Sequence, residues 1–115
     1  MIGMTVAKQN DCRYCEVFST GALEALGVPS NVIQSCANDP DLTELPPPQR
    51  AIIKFALKMA KDPKSLNSED FDKLRDLGIS DSEILEIITY TSLVNFYDIL
   101  ADAMDLVVEG SEETI

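Results

Sequence analysis

The chain contains no histidine among its 115 residues. Histidine is the side chain whose ordinary titration falls near neutral pH, and it is the commonest metal ligand. Its absence removes the usual proton shuttle. Cysteine is scarce too, with three residues, an odd and low count that argues for a reducing cytoplasm. In that setting the pair Cys12 and Cys15 reads as redox or metal chemistry, not as a structural staple. Zinc usually takes four nitrogen or sulfur ligands. One Cys-x-x-Cys pair and a distant Cys36 do not supply them, so neither a metal nor another cofactor is expected.

Positive charge is also in short supply. Nine basic residues face 20 acidic ones, for a net charge of −11. Such a chain repels phosphate backbones, and it has no basic stripe interleaved with aromatics, which excludes nucleic acid as a partner. No apolar run approaches the roughly 18 residues that span a bilayer. The N-terminus lacks a cationic segment followed by an apolar core. Neither a membrane partner nor a signal peptide is expected, and the cytoplasm is the expected location. Alternating strand patterns, a Gly-rich phosphate loop and solenoid repeats are all missing.

What remains is a helical globular chain. Hydrophobic residues make up 45% and charged residues 25%, a balance that supports a core. The length fits one domain, expected over 1–108, with an acidic tail over 109–115. From Asp98 onward the chain carries Asp98, Asp102, Asp105, Glu109, Glu112 and Glu113 with no base, which reads as a solvated helix face followed by the tail.

About five to six helices are predicted, making an all-α bundle. Met1 to about Lys8 resembles the end of a helix whose beginning is missing. Asn10 and Asp11 are N-cap types, and a second helix is predicted from Cys12 to Leu26, with Gly27 closing it. Cys15, Phe18, Ala22 and Leu26 fall at helical spacing and predict its buried stripe. A short helix follows over Ser30 to Ala37. The prolines of "LPPPQ" end a loop and start a helix, with Ile52, Phe55, Ala56 and Met59 inward and Lys54, Lys58 and Lys61 outward. Asn67 caps the next helix, Leu66 staples to Phe71, and Gly78 ends it. Ser80 and Glu83 form a capping box for a last helix running to about Val108. That helix is apolar over most of its circumference, so it belongs at the centre or at a subunit interface.

A helix turns about 100° per residue. With Cys12 at zero, Cys15 lies about 60° and Ser19 about 20° to the same side. All three therefore share one face, and the sulfurs can reach each other. Partial positive charge at the helix start, with Arg13 beside it, predicts at least one thiol titrating below its usual value of about 8.5. Such a thiolate can be oxidised to sulfenic acid and condense with the second thiol. Two buried structural thiols are the alternative, and Cys36 reads as core filler. A thioredoxin-type site would follow a strand, and no strand is predicted.

The runs "NDCRYCEVFSTGALEALGV", "FALKMAKDP", "LRDLGISDSEILEI" and "NFYDILADA" together resemble the alkylhydroperoxidase D / carboxymuconolactone decarboxylase superfamily, in its peroxidase-related branch. The resemblance extends over about Met1 to Met104. It implies an all-helical fold assembled as dimers, trimers or hexamers. It also implies the spacing Glu, eleven residues, Cys, two residues, Cys, three residues, His. On that pattern Cys15 stands for the peroxide-attacking cysteine and Cys12 for the disulfide partner that exchanges with an external reductant. Ser19 stands where the relay histidine belongs, and the glutamate would precede Met1.

Serine is too weak a base to shuttle a proton alone, and losing a general base typically costs about 10²–10⁴-fold. The expectation is thus a weak thiol–disulfide peroxidase, with a small peroxide as substrate and a cellular dithiol as reductant. The alternative is an inactive relative acting as an oligomeric binding or assembly module. Decarboxylase chemistry on an anionic lactone would want a histidine and basic groups, which are not there. Related chains carry helices before the cysteine pair. Their expected absence here would leave apolar surface exposed and favour a homo-oligomer, joined through the second and last helices.

Overall fold

A computed structural model describes residues 2–39, 41–42 and 45–105. Among them the chain is all-helical: α1 (Ile2–Gln9), α2 (Arg13–Ala25), α3 (Ser30–Asn38), α4 (Pro47–Lys61), α5 (Ser68–Asp76) and α6 (Asp81–Ala103), with a 3-10 turn at Pro63–Ser65. No strand occurs among these residues. The final helix ends at Ala103, short of the expected Val108, with Met104 as its C-cap and Asp105 at φ +54°; the acidic tail lies outside the described part.

Local chemistry sets most helix boundaries. Pro47 opens α4, where a missing N–H is harmless. Asn67 accepts from the Asp70 N–H while the Asp70 carboxylate accepts from the Asn67 N–H, a reciprocal cap at the start of α5. Ser80 and Glu83 do the same for α6. Gly27 and Gly78 take left-handed backbones, φ +86° and +84°, just past α2 and α5, a conformation that only glycine adopts without a Cβ penalty.

α1 sits centrally. Its residues Gly3, Met4, Thr5, Val6 and Ala7 are all buried, and it packs against α2, α3, α4 and α6. One core cluster joins α4, α5 and α6 through Phe55, Met59, Leu74, Ile84 and Ile87, with Ile79 from the α5–α6 turn. A second joins α1, α3 and α4 through Met4, Ile33, Cys36 and Ile53, with Leu42. Cys36 therefore sits in the core, as expected. On α4 Ile53 is buried and Ile52 only half-buried, a small rotation from the expected face. Leu66 and Phe71 both pack on the first cluster.

Two expectations fail. No residue of α2 is fully buried, and the stripe expected inside includes Phe18 at 69% and Leu26 at 81% exposure. Periodicity locates an apolar face, but α2 is covered mainly on the side that meets α1, so much of that face has no partner within the chain. The expected N-caps Asn10 and Asp11 are used otherwise. The N-cap position is Cys12, with no side-chain capping bond. Asp11 takes φ +58° in the turn, and the Asn10 side chain reaches α6.

α6 also corrects the reading of apolar length. By length and composition it is apolar enough to cross a membrane, with a mean hydropathy of 1.3 and 33% of that window buried in the fold. Counting only uninterrupted apolar residues missed it, because Glu86 and Asp98 break the run without making it polar. In this fold it packs against α1, α2, α4 and α5.

Candidate functional site

The turn between α1 and α2 delivers the cysteine pair. The Cys12 N–H donates to the Ala7 carbonyl at 2.9 Å, and the Cys12 carbonyl accepts from the Glu16 N–H at 2.9 Å. Cys12 thus ends one helix and begins the next, with an extended backbone and 0% exposure. Cys15 follows in the first turn of α2 and is half-buried. Both are thiols.

α6 supplies the third group. Asp98 is 2% exposed, although it was expected on a solvated face. Its Oδ2 accepts from Asn10 Nδ2 at 2.8 Å, and the same Asn10 amide donates to Asn95 Oδ1 at 2.7 Å. Asn95 in turn donates to the Ala60 carbonyl at 3.3 Å, fixing the network to α4. Asp98 Oδ1 is buried without a hydrogen-bond partner. The two sulfurs and a carboxylate oxygen of Asp98 lie within 4.8 Å of one another.

The electrostatics reverse the expected thiol acidity. Burial pushes the Cys15 thiol up strongly, and the Cys12 thiol and the Asp98 carboxylate beside it add to the rise. Burial raises Cys12 as well; its contact with Cys15 works the other way, and Asp102 adds to the rise. A thiolate formed here would lose water and face a carboxylate, which outweighs the helix-start field. Arg13 is exposed, and the charges that push the pair up are those of Asp98 and Asp102.

The site is reachable through a cavity of about 540 Å³ whose walls include Cys15, Ser19, Asp98, Tyr14, Phe18, Tyr90, Tyr97 and Met104. Tyr14 and Phe18 stack on one wall with centroids 6.4 Å apart. Cys15 and Ser19 share this wall, while Cys12 lies behind it. Ser19 is set against α1: a Cβ on Gly3 would meet Ser19 Oγ at 3.1 Å and the Tyr90 hydroxyl at 3.5 Å. A side chain at position 3 would therefore crowd Ser19 and the cavity edge. A second cleft of about 440 Å³ between α4 and α5 includes Arg50, Lys54, Lys58 and Lys73 and no sulfur.

The groups that sequence reasoning missed are Asn10 and Asp98 as site residues, and Asp102 as the carboxylate beside Cys12. One signal was available. Thr91, Asn95, Asp98 and Asp102 recur at spacings of four, three and four along an otherwise apolar helix, a polar stripe with one side.

Neither a family model nor a curated protein sequence matches this chain.

Proposed function

We propose that this chain is a thiol–disulfide redox protein of the alkylhydroperoxidase-like class. In this reading it reduces small peroxides through Cys15 and Cys12, and it works as a homo-oligomer in the cytoplasm. The observation that carries the reading is the juxtaposition of two sulfurs and a buried carboxylate within 4.8 Å, opening to the cavity through Cys15. A disulfide needs sulfurs that can close to about 2.05 Å, and side-chain rotation would have to bring these together from within 4.8 Å.

The step balances without a cofactor. Cys15 gives its proton to Asp98 and attacks the terminal peroxide oxygen. The O–O bond breaks, and the departing alkoxide takes the proton back from Asp98 and leaves as an alcohol. Cys15 is now a sulfenic acid. The Cys12 sulfur attacks it, the S–S bond forms, and hydroxide leaves with the Cys12 proton as water, with Asp102 beside Cys12 as a proton acceptor. A dithiol then supplies two electrons and two protons to reopen the disulfide. Asp98 takes the part that Ser19 cannot. Because both thiols are pushed up, turnover at neutral pH is slow and climbs with pH.

Oligomerisation is supported by the apolar side chains that the single chain leaves exposed on α2 and α6, among them Phe18, Leu26, Leu93, Phe96 and Ile99. The same exposure, together with the raised thiols, favours a second reading, a binding or assembly module with an idle dithiol. A peroxide-consumption assay separates the two. Wild type should consume peroxide faster than Cys15→Ser, and equal rates would remove the redox reading.

A further inference from the structure

We propose that the reduced pair is also a metal site, in which Cys12 Sγ, Cys15 Sγ and Asp98 Oδ1 bind one divalent cation of the zinc class. The sequence argued against zinc because it offered only two ligands close together. The fold brings in a third from α6. Both sulfurs and a carboxylate oxygen of Asp98 lie within 4.8 Å of one another; a tetrahedral ion with metal–sulfur bonds of about 2.3 Å and metal–oxygen bonds of about 2.0–2.2 Å would draw them about 1 Å closer.

The independent sign of a cation is Asp98 Oδ1. Asp98 Oδ1 is buried with no hydrogen-bond partner of normal geometry, the Cys15 thiol being the donor beside the carboxylate, and a cation that replaces the thiol protons would satisfy it. No lysine or arginine side chain lines the cavity on which Asp98 opens. The outer shell is in place: Asn10 donates to Asp98 Oδ2, while Oδ1 has no hydrogen-bond partner, the orienting arrangement that metal carboxylates use. The cavity gives an entry path past Cys15. Asp102, beside Cys12, or a water is available for the fourth position. Two thiolates and a carboxylate suit a borderline-soft ion and not magnesium or calcium, which prefer all-oxygen sites.

Binding releases two thiol protons and forms two metal–sulfur bonds, with no change in oxidation state. It uses the same sulfurs as the disulfide, so metal occupancy and oxidation exclude each other. The inference needs only reduced thiols and a carboxylate, and it stands whether or not the pair turns over peroxide.

The test is titration of the reduced full-length chain with Co²⁺ under anaerobic conditions with a phosphine reductant, followed by displacement with Zn²⁺. Wild type should develop thiolate-to-cobalt charge-transfer absorption saturating at one ion per chain, which Zn²⁺ then abolishes. Cys12→Ser, Cys15→Ser and Asp98→Asn should each weaken binding by at least about tenfold, and Asn10→Ala by about tenfold, as outer-shell changes do. Cys36→Ser should bind like wild type. Absence of the absorption in wild type overturns the site, as does unchanged affinity in Asp98→Asn or in either serine variant. Should Asp98→Asn lose its helical circular dichroism, the two serine variants decide. Cobalt binding without peroxide turnover would leave the metal site standing alone, and a peroxide-formed disulfide without cobalt binding would leave only the redox reading.

Discussion

Asn10 donates a 2.8 Å hydrogen bond to Asp98 across 88 residues of sequence, tying the turn before the cysteine pair to the last helix. That bond fixes a buried carboxylate beside Cys15. Its electrostatic effect on the thiol and its service in proton transfer oppose each other, and substitution separates them.

Asp98→Asn removes the negative charge that helps push Cys15 up. More thiolate should then exist at pH 7, so alkylation by iodoacetamide should accelerate. Peroxide reduction should slow by about 10²-fold, the low end for losing a general acid–base group, because the leaving alkoxide loses its proton donor. Paired rate measurements on chelator-treated protein check this; rates moving together in the same direction would contradict the relay.

The raised thiols also predict pH dependence. Cys15 alkylation should rise about tenfold per pH unit from 7 to 9 without a plateau, since its thiol stays largely protonated there. For stability, the folded-state values lie above the unfolded value of about 8.5. The unfolded chain therefore releases thiol protons first, and folding stability is lost as pH rises beyond that value. Urea denaturation between pH 7 and 10 should show a steeper loss in wild type than in a Cys12→Ser/Cys15→Ser double variant.

The two capping boxes give a local test. Asn67→Ala and Ser80→Ala each remove a side-chain acceptor for a helix-start N–H, and each should destabilise by about 1 kcal/mol. Urea midpoints report the change, and an effect indistinguishable from zero at both positions would contradict the caps. Lys58 and Asp70 form a 2.8 Å ion pair beside the first box, which holds the Asp70 carboxyl below its usual range. Lys58→Met should matter little by comparison, because the Lys58 end of the pair is open to solvent.

These caps were readable in the sequence because they depend on residues three apart. Gly27, Gly78 and Pro47 were readable for the same reason: each answers a local backbone demand. The burial of Asp98 was not, since its partner Asn10 lies near the other end of the chain. An acid in the last turns of a helix, followed by more acids, looks like solvent-facing surface until a neighbour covers it. The reversed thiol acidity follows from the same blindness, because the helix-start field is a local property while burial and the α6 carboxylates are tertiary. The α2 stripe failed in another way: the sequence marks Phe18 and Leu26 as one apolar face without saying whether this chain or another covers it.

That exposed face carries its own prediction. Sedimentation equilibrium at micromolar concentration should give an oligomer, dimer to hexamer. A Leu93→Lys/Phe96→Glu variant, altered only at exposed α6 positions, should shift towards monomer while keeping its helical circular dichroism. A wild-type monomer would contradict the proposed assembly.

The central claim is that Cys12 and Cys15 form a working dithiol, and intact-mass spectrometry after brief treatment of reduced protein with dilute peroxide tests it most directly. The account predicts loss of two hydrogens, a peptide map linking Cys12 to Cys15, full reversal by a dithiol, and no such loss in Cys15→Ser. Wild type that keeps both thiols under these conditions, or stops at oxygen adducts without closing the bond, would contradict it.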